Sequence, residues 1–281
     1  MKRYIKIYSR YFSMAIKSKL MYRGDWFIGL FSLIVSNVAS FFTIYLSIYP
    51  VQQINNWTFL HIVFLYGFLL IPMGIDHALT NKLWNYAGGL INSGELDRIL
   101  MKPLNPLFQM CAEYFQEGGI GEIILGIVFM SISGPFLNIN FTFNTVFPII
   151  IGALFSPLIY FAIKLFGATL SFYKKRSMSI TSGIYNLKSF GQYPGSVYSN
   201  SGVVGKIVYN VLLFILSFSL VGYLPLAAQI FPDQAIPVLW FSIPANNYLI
   251  MWIIIFISLT LSSLSYLFFK VSLKHYSSSG S

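Results

Sequence analysis

Long apolar runs separated by short polar connections dominate the chain. A helix that crosses a bilayer needs about 20 consecutive, mostly apolar residues. Trp26–Tyr49 meets that length without a charge, and Phe59–Ala78 meets it with Pro72 inside and Asp76 near its end. Ile120–Leu137 is shorter, and Phe143–Tyr173 is long, with Pro148 near its start and Pro157 within. Ile207–Ala228 and Tyr248–Phe269 complete a set of six. Before the first run, Tyr4, Ile5, Tyr8, Tyr11, Phe12 and Ala15 recur at helical spacing, with Lys2, Lys6, Arg10 and Lys17 mostly between them. This pattern predicts an amphipathic helix over residues 1–25, lying at the membrane surface with its cations near anionic headgroups. The spread of its cations leaves no apolar run for a cleavable signal peptide.

Composition agrees with lipid as the solvent. Hydrophobic residues make up 56% of the 281 positions and charged residues 9%, against about a quarter charged in soluble domains. The net charge of +10 does not point to nucleic acid, because the basic residues gather at the ends of apolar runs. Residues 1–25, 79–119, 174–206 and the tail after 269 carry all of the lysine and arginine except Lys164, and residues 50–58, 138–142 and 229–247 carry none. Alternation of this kind predicts six crossings with both termini in the cytoplasm. Two readings of the fifth crossing stay open. Residues 177–206 form a cytoplasmic loop before a span at 207–228, or residues 177–195 cross and 207–228 dips in and out from the outer side. The connection Gln229–Asn247, with three prolines and Trp240, reads as a hydrophobic outer lid or hairpin. Trp26 and Trp57 flank runs and read as interfacial anchors.

Catalytic chemistry finds no support. GVVGKI at Gly202–Ile207 lacks the upstream glycine and following Ser/Thr of a phosphate-binding loop. The single Cys111 excludes a cysteine-built metal site, and His61, His77 and His275 lie far apart in sequence. No enzyme, metal or cofactor is therefore expected of this chain. Asp76, His77 and Lys164 lie within the apolar runs. Charges at depth face a cavity or a partner, which makes these residues a candidate translocation pathway or an Asp76–Lys164 pair. The alternative is that Lys164 snorkels to the headgroups.

The densest polar island is Asn92–Gln109, NSGELDRILMKPLNPLFQ. Asn92 is placed to cap a helix, with Glu95 three positions on as its capping-box partner. Leu96, Ile99 and Leu100 follow on one stripe, with Asp97, Arg98 and Lys102 mostly off it. Pro103 stops the helix and Pro106 is expected to prevent an immediate restart. A short, sharply bounded helix on the cytoplasmic side is the expectation, with docking to a protein as its use.

GELDRILMKPLNPLFQ resembles the signature Gly-Glu-Leu-Asp-x-x-Leu-x-x-Pro-Leu-x-Pro of the ABC-2-type permeases of ABC transporters, at Gly94, Glu95, Leu96, Asp97, Leu100, Pro103, Leu104 and Pro106. Gln192–Pro225 and Leu273–Ser281 resemble two further blocks of that family, although Val211–Leu220 lacks the proline its apolar segment carries. The resemblance implies an all-α, six-span permease subunit over residues 1–281. Its parts are the interfacial helix (1–25), two spans (26–78), a coupling-helix region (92–109), two spans (120–173), a fifth span with a possible re-entrant segment (177–228) and a sixth span (248–269). It implies two permease subunits, identical or homologous, around a pathway, and a cytoplasmic ATPase subunit that binds ATP and Mg on each. ATPase docking would fall to Gly94, Glu95, Leu96, Asp97, Arg98, Ile99, Leu100 and Pro103, with Leu96, Ile99 and Leu100 seated in a groove of the ATPase. The expected role is export across the cell membrane of a bacterium, with membrane lipids as the surroundings. The rival is a self-contained six-span channel or secondary transporter.

Overall fold

The computed structural model describes residues 2–48, 53–54, 56–90, 94–137, 139, 141–173, 177–199, 202–215, 217–231, 236–238 and 241–276. Asn92, Trp240, Tyr49, the cations Lys174, Lys175 and Arg176, and the end of the Leu273–Ser281 block lie outside them. In chain order the elements are α1 (Lys2–Met21), α2 (Arg23–Ile48), β1 (Gln53–Ile54), β2 (Trp57–Thr58), α3 (Phe59–Thr80), α4 (Leu83–Asn85), α5 (Glu95–Leu100), α6 (Pro106–Ala112), α7 (Gly118–Ser133), α8 (Phe143–Phe155), α9 (Pro157–Leu170), α10 (Met178–Asn186), α11 (Gly195–Ser199), α12 (Gly202–Asn210), α13 (Phe218–Val221), α14 (Tyr223–Ile230), β3 (Ile236–Val238), β4 (Phe241–Ile243) and α15 (Asn247–Leu273). The strands form two small antiparallel hairpins, β1 with β2 and β3 with β4. The other regular elements among the described residues are helical.

Five helical stretches among the described residues are long and apolar enough to cross a membrane: Arg23–Leu46, Phe59–Thr80, Gly118–Leu137, Phe143–Leu170 and Asn247–Leu273. The chain is an integral membrane protein. Of the two readings of 207–228, the straight helix does not form. Helix α12 passes into a π-helical turn at Val211–Ile215, and Ser217 takes a left-handed conformation, φ 57°. The rings of Tyr209 and Tyr223 then lie 6.3 Å apart, although a continuous helix would separate those positions by about 21 Å at 1.5 Å per residue. The segment doubles back on itself, and Gly222 turns against Leu69 at the middle of α3.

Helix α3 is the central element, buried from Ile62 through Leu70. Its closest neighbour is the antiparallel α7. Gly67 and Gly74 of α3 face Gly126 and Gly119 of α7, so glycine meets glycine twice, seven positions apart on each helix. A Cβ at Gly67 would lie 2.9 Å from the Gly126 carbonyl oxygen, and one at Gly74 would collide with the Gly119 carbonyl. Small residues let helix backbones approach where no hydrophobic force separates side chains from lipid. The long fourth run is bent rather than broken: Pro157 occupies the first position of α9, where its missing N–H costs nothing extra, and Ser156 N still donates to Gly152 O at 2.9 Å.

One end of the bundle gathers Lys82, Arg98 and Lys102 around Glu95 and Glu113. Helix α1 lies there against α6 through the edge-to-face pair Tyr4–Phe108 and against the connection after α6 through Phe12–Phe115, and Lys19 Nζ meets Glu117 Oε1 at 3.0 Å. The aromatic stripe of α1 is therefore partly covered by the chain itself, while Ile5 stays exposed. The other end holds the two hairpins. Trp57 packs there on Tyr223 and Phe231 and is only 2% exposed, so it is a core residue and not the lipid-facing anchor its position in the sequence implies. Its burial requires the returning α14, which no local pattern announces.

Candidate functional site

At the basic end, α5 begins on Gly94, whose φ of 79° is a left-handed conformation that glycine adopts without strain. Glu95 is the first helical residue, so the expected capping box does not form: its carboxylate would have to stand at the third position. It instead meets Arg98 at 3.0 Å and Lys82 at 3.7 Å. The helix ends near Met101. Pro106 does not keep the chain from restarting; it starts α6, with Asn105 Oδ1 accepting from Phe108 N at 3.2 Å. Proline is at home at a first helical position, so two helices stand where one was expected.

The apolar stripe of α5 faces inward. Leu96 and Ile99 are fully buried in a cluster with Leu83, Tyr86, Met110, Leu165, Ala168 and Phe269. They are thereby withdrawn from the partner groove expected to receive them. Leu100 is 39% and Met101 79% exposed. Arg98 and Pro103 are exposed beside them, and Asp97 is half-buried. The buried Gln109 Nε2 donates to the carbonyls of Ile99 and Leu104, both at 3.3 Å, which ties α6 to α5. Glu113, which sequence reasoning missed, is the ionic hub of this end. Its oxygens accept from Lys82 Nζ at 2.9 Å, Lys102 Nζ at 2.8 Å and Arg98 at 3.3 Å. Burial pushes the Glu113 carboxyl up, and the hydrogen bonds from Lys102 and Lys82 outweigh it, so it lies below the usual carboxylate range.

About one helical turn inward lies a second constellation. Lys164 Nζ meets Asp76 Oδ2 at 2.7 Å with both side chains wholly buried. Of the two readings of Lys164, pairing is realised and snorkelling is not. Tyr185 Oη donates to Asp76 Oδ2 at 3.0 Å and Thr80 Oγ1 to Asp76 Oδ1 at 2.5 Å. Lys164 also reaches Asn81 Oδ1 at 3.4 Å and sits over the rings of Tyr185 and Trp84. His77 joins from the other side, with Nδ1 2.7 Å from Glu122 Oε2 and Nε2 3.0 Å from Tyr185 Oη. Because Tyr185 gives its hydrogen to Asp76, His77 Nε2 must carry the hydrogen it directs at Tyr185. The three expected pathway residues thus come together, in a connected chain from Glu122 through His77, Tyr185 and Asp76 to Lys164. Helices α3, α7, α9 and α10 supply it. Glu122 was legible as a lone carboxylate in GGIGEIILG; Tyr185 carried no signal, because nothing in its neighbourhood distinguishes it from other interfacial tyrosines.

A cavity of about 690 Å³ opens beside this chain of polar groups, between α2 and the α3–α7 pair. His77, Glu122, Tyr160 and Lys188 form its inner wall. Among the described residues no group of His, Cys, Asp and Glu is arranged to hold a metal ion.

No curated protein and no solved structure matches the chain. The profile of the ABC-2 family transporter proteins does, over residues 33–280. That span takes in the glycine-paired helices, the buried ionic chain, α5 with its hub and the doubled-back segment, and the chain belongs to the ABC-2 transporter family.

Proposed function

We propose that the chain is the membrane-spanning permease subunit of an ATP-driven exporter, working as a pair of subunits, identical or homologous, each docked to a cytoplasmic ATPase subunit that carries ATP and Mg. Members of this family are membrane transport components that generally work with an ATPase subunit. Clustering of Lys82, Arg98, Lys102, Lys270 and Lys274 with α1 at one end supports that end as cytoplasmic. Six crossings then comprise α2, α3, α7, α8 with α9, residues 177–199 and α15, with 202–230 re-entrant from the hairpin side. A bacterial cell membrane is the expected setting.

The observation that carries this reading is the seating of α5. Leu96 and Ile99 hold it in one buried cluster with Leu165 and Ala168 of α9 and Phe269 of α15, while Arg98, Leu100, Met101 and Pro103 remain at the surface. Force applied to that outer ridge by a closing ATPase passes into two spans, and Leu165 adjoins Lys164 of the buried ionic chain. Docking therefore rests on Leu100, Met101, Arg98 and Pro103, with Gly94, Glu95, Asp97, Leu96 and Ile99 shaping and anchoring the helix.

Affinity purification from native membranes should recover an ATPase bearing a phosphate-binding loop. The pair Leu100→Asp and Met101→Asp should abolish that recovery with the permease still folded. Leu96→Ala should instead lower stability by about 2–5 kcal/mol, as for a buried leucine. Undiminished recovery with the double variant, or substrate flux by the purified chain without ATP, would overturn the assignment. ATP-dependent uptake into inside-out vesicles tests the direction of transport.

A further inference from the structure

The cavity beside the ionic chain carries one lysine that forms no ion pair among the described residues. Its charged lining comprises Lys19, Asp25, His77, Glu117, Glu122 and Lys188. Lys19 pairs with Glu117 at 3.0 Å, and His77 with Glu122 at 2.7 Å. Asp25 stands exposed in the first turn of α2. Lys188 remains, its ammonium 4.1 Å from the centre of the Tyr185 ring, with no acidic partner within 4.0 Å among the described residues. A cation set between apolar helices is costly unless a cavity or a partner receives it, and an aromatic face supplies only part of what an anion would.

The rest of the lining suits an anion's other needs. Ser32 and Ser36 on one face of α2, and Gln192 opposite, line the cavity and make no side-chain hydrogen bond to another described residue. Their donors are therefore open to the oxygens of a carboxylate, phosphate or sulfonate. Leu33, Leu69 and Met73 give the same cavity an apolar side. From Asp25 to Ser40 the lining follows α2 for about 22 Å at 1.5 Å per residue, longer than a compact ion requires. About 690 Å³ falls in the range of sites that enclose a small organic ligand.

We infer that this cavity binds an amphiphile with an anionic head, held by Lys188 with Ser32, Ser36 and Gln192, and an apolar body laid along α2. The inference deepens the permease reading and rests on it for the ligand to be cargo. Lipid headgroup and free amphiphile share this chemistry, and the test separates them.

The full chain in phosphatidylcholine nanodiscs is titrated with radiolabelled decanoate and, separately, with decyltrimethylammonium, with empty nanodiscs subtracted. Saturable decanoate binding is expected, weakened at least about tenfold in Lys188→Gln and kept within about threefold in Lys188→Arg, with no saturable binding of the cation. Thermal unfolding of each variant confirms that it is folded. In a second arm, phosphatidylglycerol replaces about a tenth of the lipid. Displacement of decanoate assigns the site to an anionic lipid headgroup, and undiminished binding assigns it to a free amphiphile. Absent saturable binding, equal affinity in Lys188→Gln, or preference for the cation would overturn the inference. None of these measurements uses the ATPase. Loss of Lys188 dependence with ATPase recovery intact sinks the inference alone, and failure to recover an ATPase sinks the permease reading alone.

Discussion

Breaking the buried Asp76–Lys164 pair from either side should cost far more than removing it whole. At 2.7 Å and an effective dielectric constant of about 20, the direct attraction is about 6 kcal/mol. Desolvation of the two ions takes several kcal/mol each, so the pair contributes little net stability beyond the hydrogen bonds Tyr185 and Thr80 give Asp76. Lys164→Met leaves a buried carboxylate, and Asp76→Asn leaves a buried ammonium. Each should destabilise by about 3–5 kcal/mol. The double variant buries no unpaired charge and a methionine of similar length, and its single amide oxygen keeps one of the two hydrogen bonds that Tyr185 and Thr80 give to different carboxylate oxygens, so it should lie within about 3 kcal/mol of the native chain. The cycle then has a coupling of several kcal/mol. Reversible unfolding by sodium dodecyl sulfate in mixed micelles measures it, with tryptophan fluorescence as the signal, since Trp84 lies 6.0 Å from the Lys164 ammonium. Additive single costs, within about 0.5 kcal/mol, would refute the pairing and return Lys164 to the headgroups.

Gly74→Ala should destabilise the α3–α7 contact by about 1–3 kcal/mol through overpacking, because its methyl would strike the Gly119 carbonyl and sit 2.7 Å from Ile123 Cγ1. Gly29→Ala, with nothing within 4 Å, should instead gain up to about 1 kcal/mol of helix propensity; the same unfolding assay compares the two, and a neutral Gly74→Ala would contradict the close approach. Glu113, held below the usual carboxylate range by Lys102 and Lys82 against its burial, stabilises the folded chain above the unfolded carboxylate value of about 4.3. That contribution should disappear as pH falls through the lower folded value, and Glu113→Gln should remove this part of the acid sensitivity in unfolding followed from pH 7 down to pH 3.

Hydropathy located five of the spans to within a few residues, because a 20-residue apolar run has no other solvent than lipid or a core made of its like. The position of Pro103 marks where α5 stops, whereas the cap pattern points to a start at Asn92 and the helix begins on Gly94, whose φ of 79° suits glycine. The sequence read the polar island as a docking surface, but a stripe such as Leu96, Ile99 and Leu100 is the same whether it faces a partner or the chain's own interior. The choice was made by Leu165, Ala168 and Phe269, which come from distant segments. Pro106 likewise reads as a breaker or a starter depending on whether Asn105 caps the next helix.

What the amino-acid sequence determined by itself is the local alphabet: which segments are apolar, which residues are charged within them, and which connections hold the cations. Tertiary structure alone decided the pairings. Asp76 meets Lys164 and Tyr185, His77 meets Glu122, and Glu113 collects three cations, all across more than ten positions of chain. It also turned 207–228 back on itself, where the hydropathy of a straight span and of a doubled one is identical. The physical reason is common to both: burial free energy depends on what surrounds a residue in space, and that neighbourhood is set by helices whose order along the chain says nothing of which faces meet.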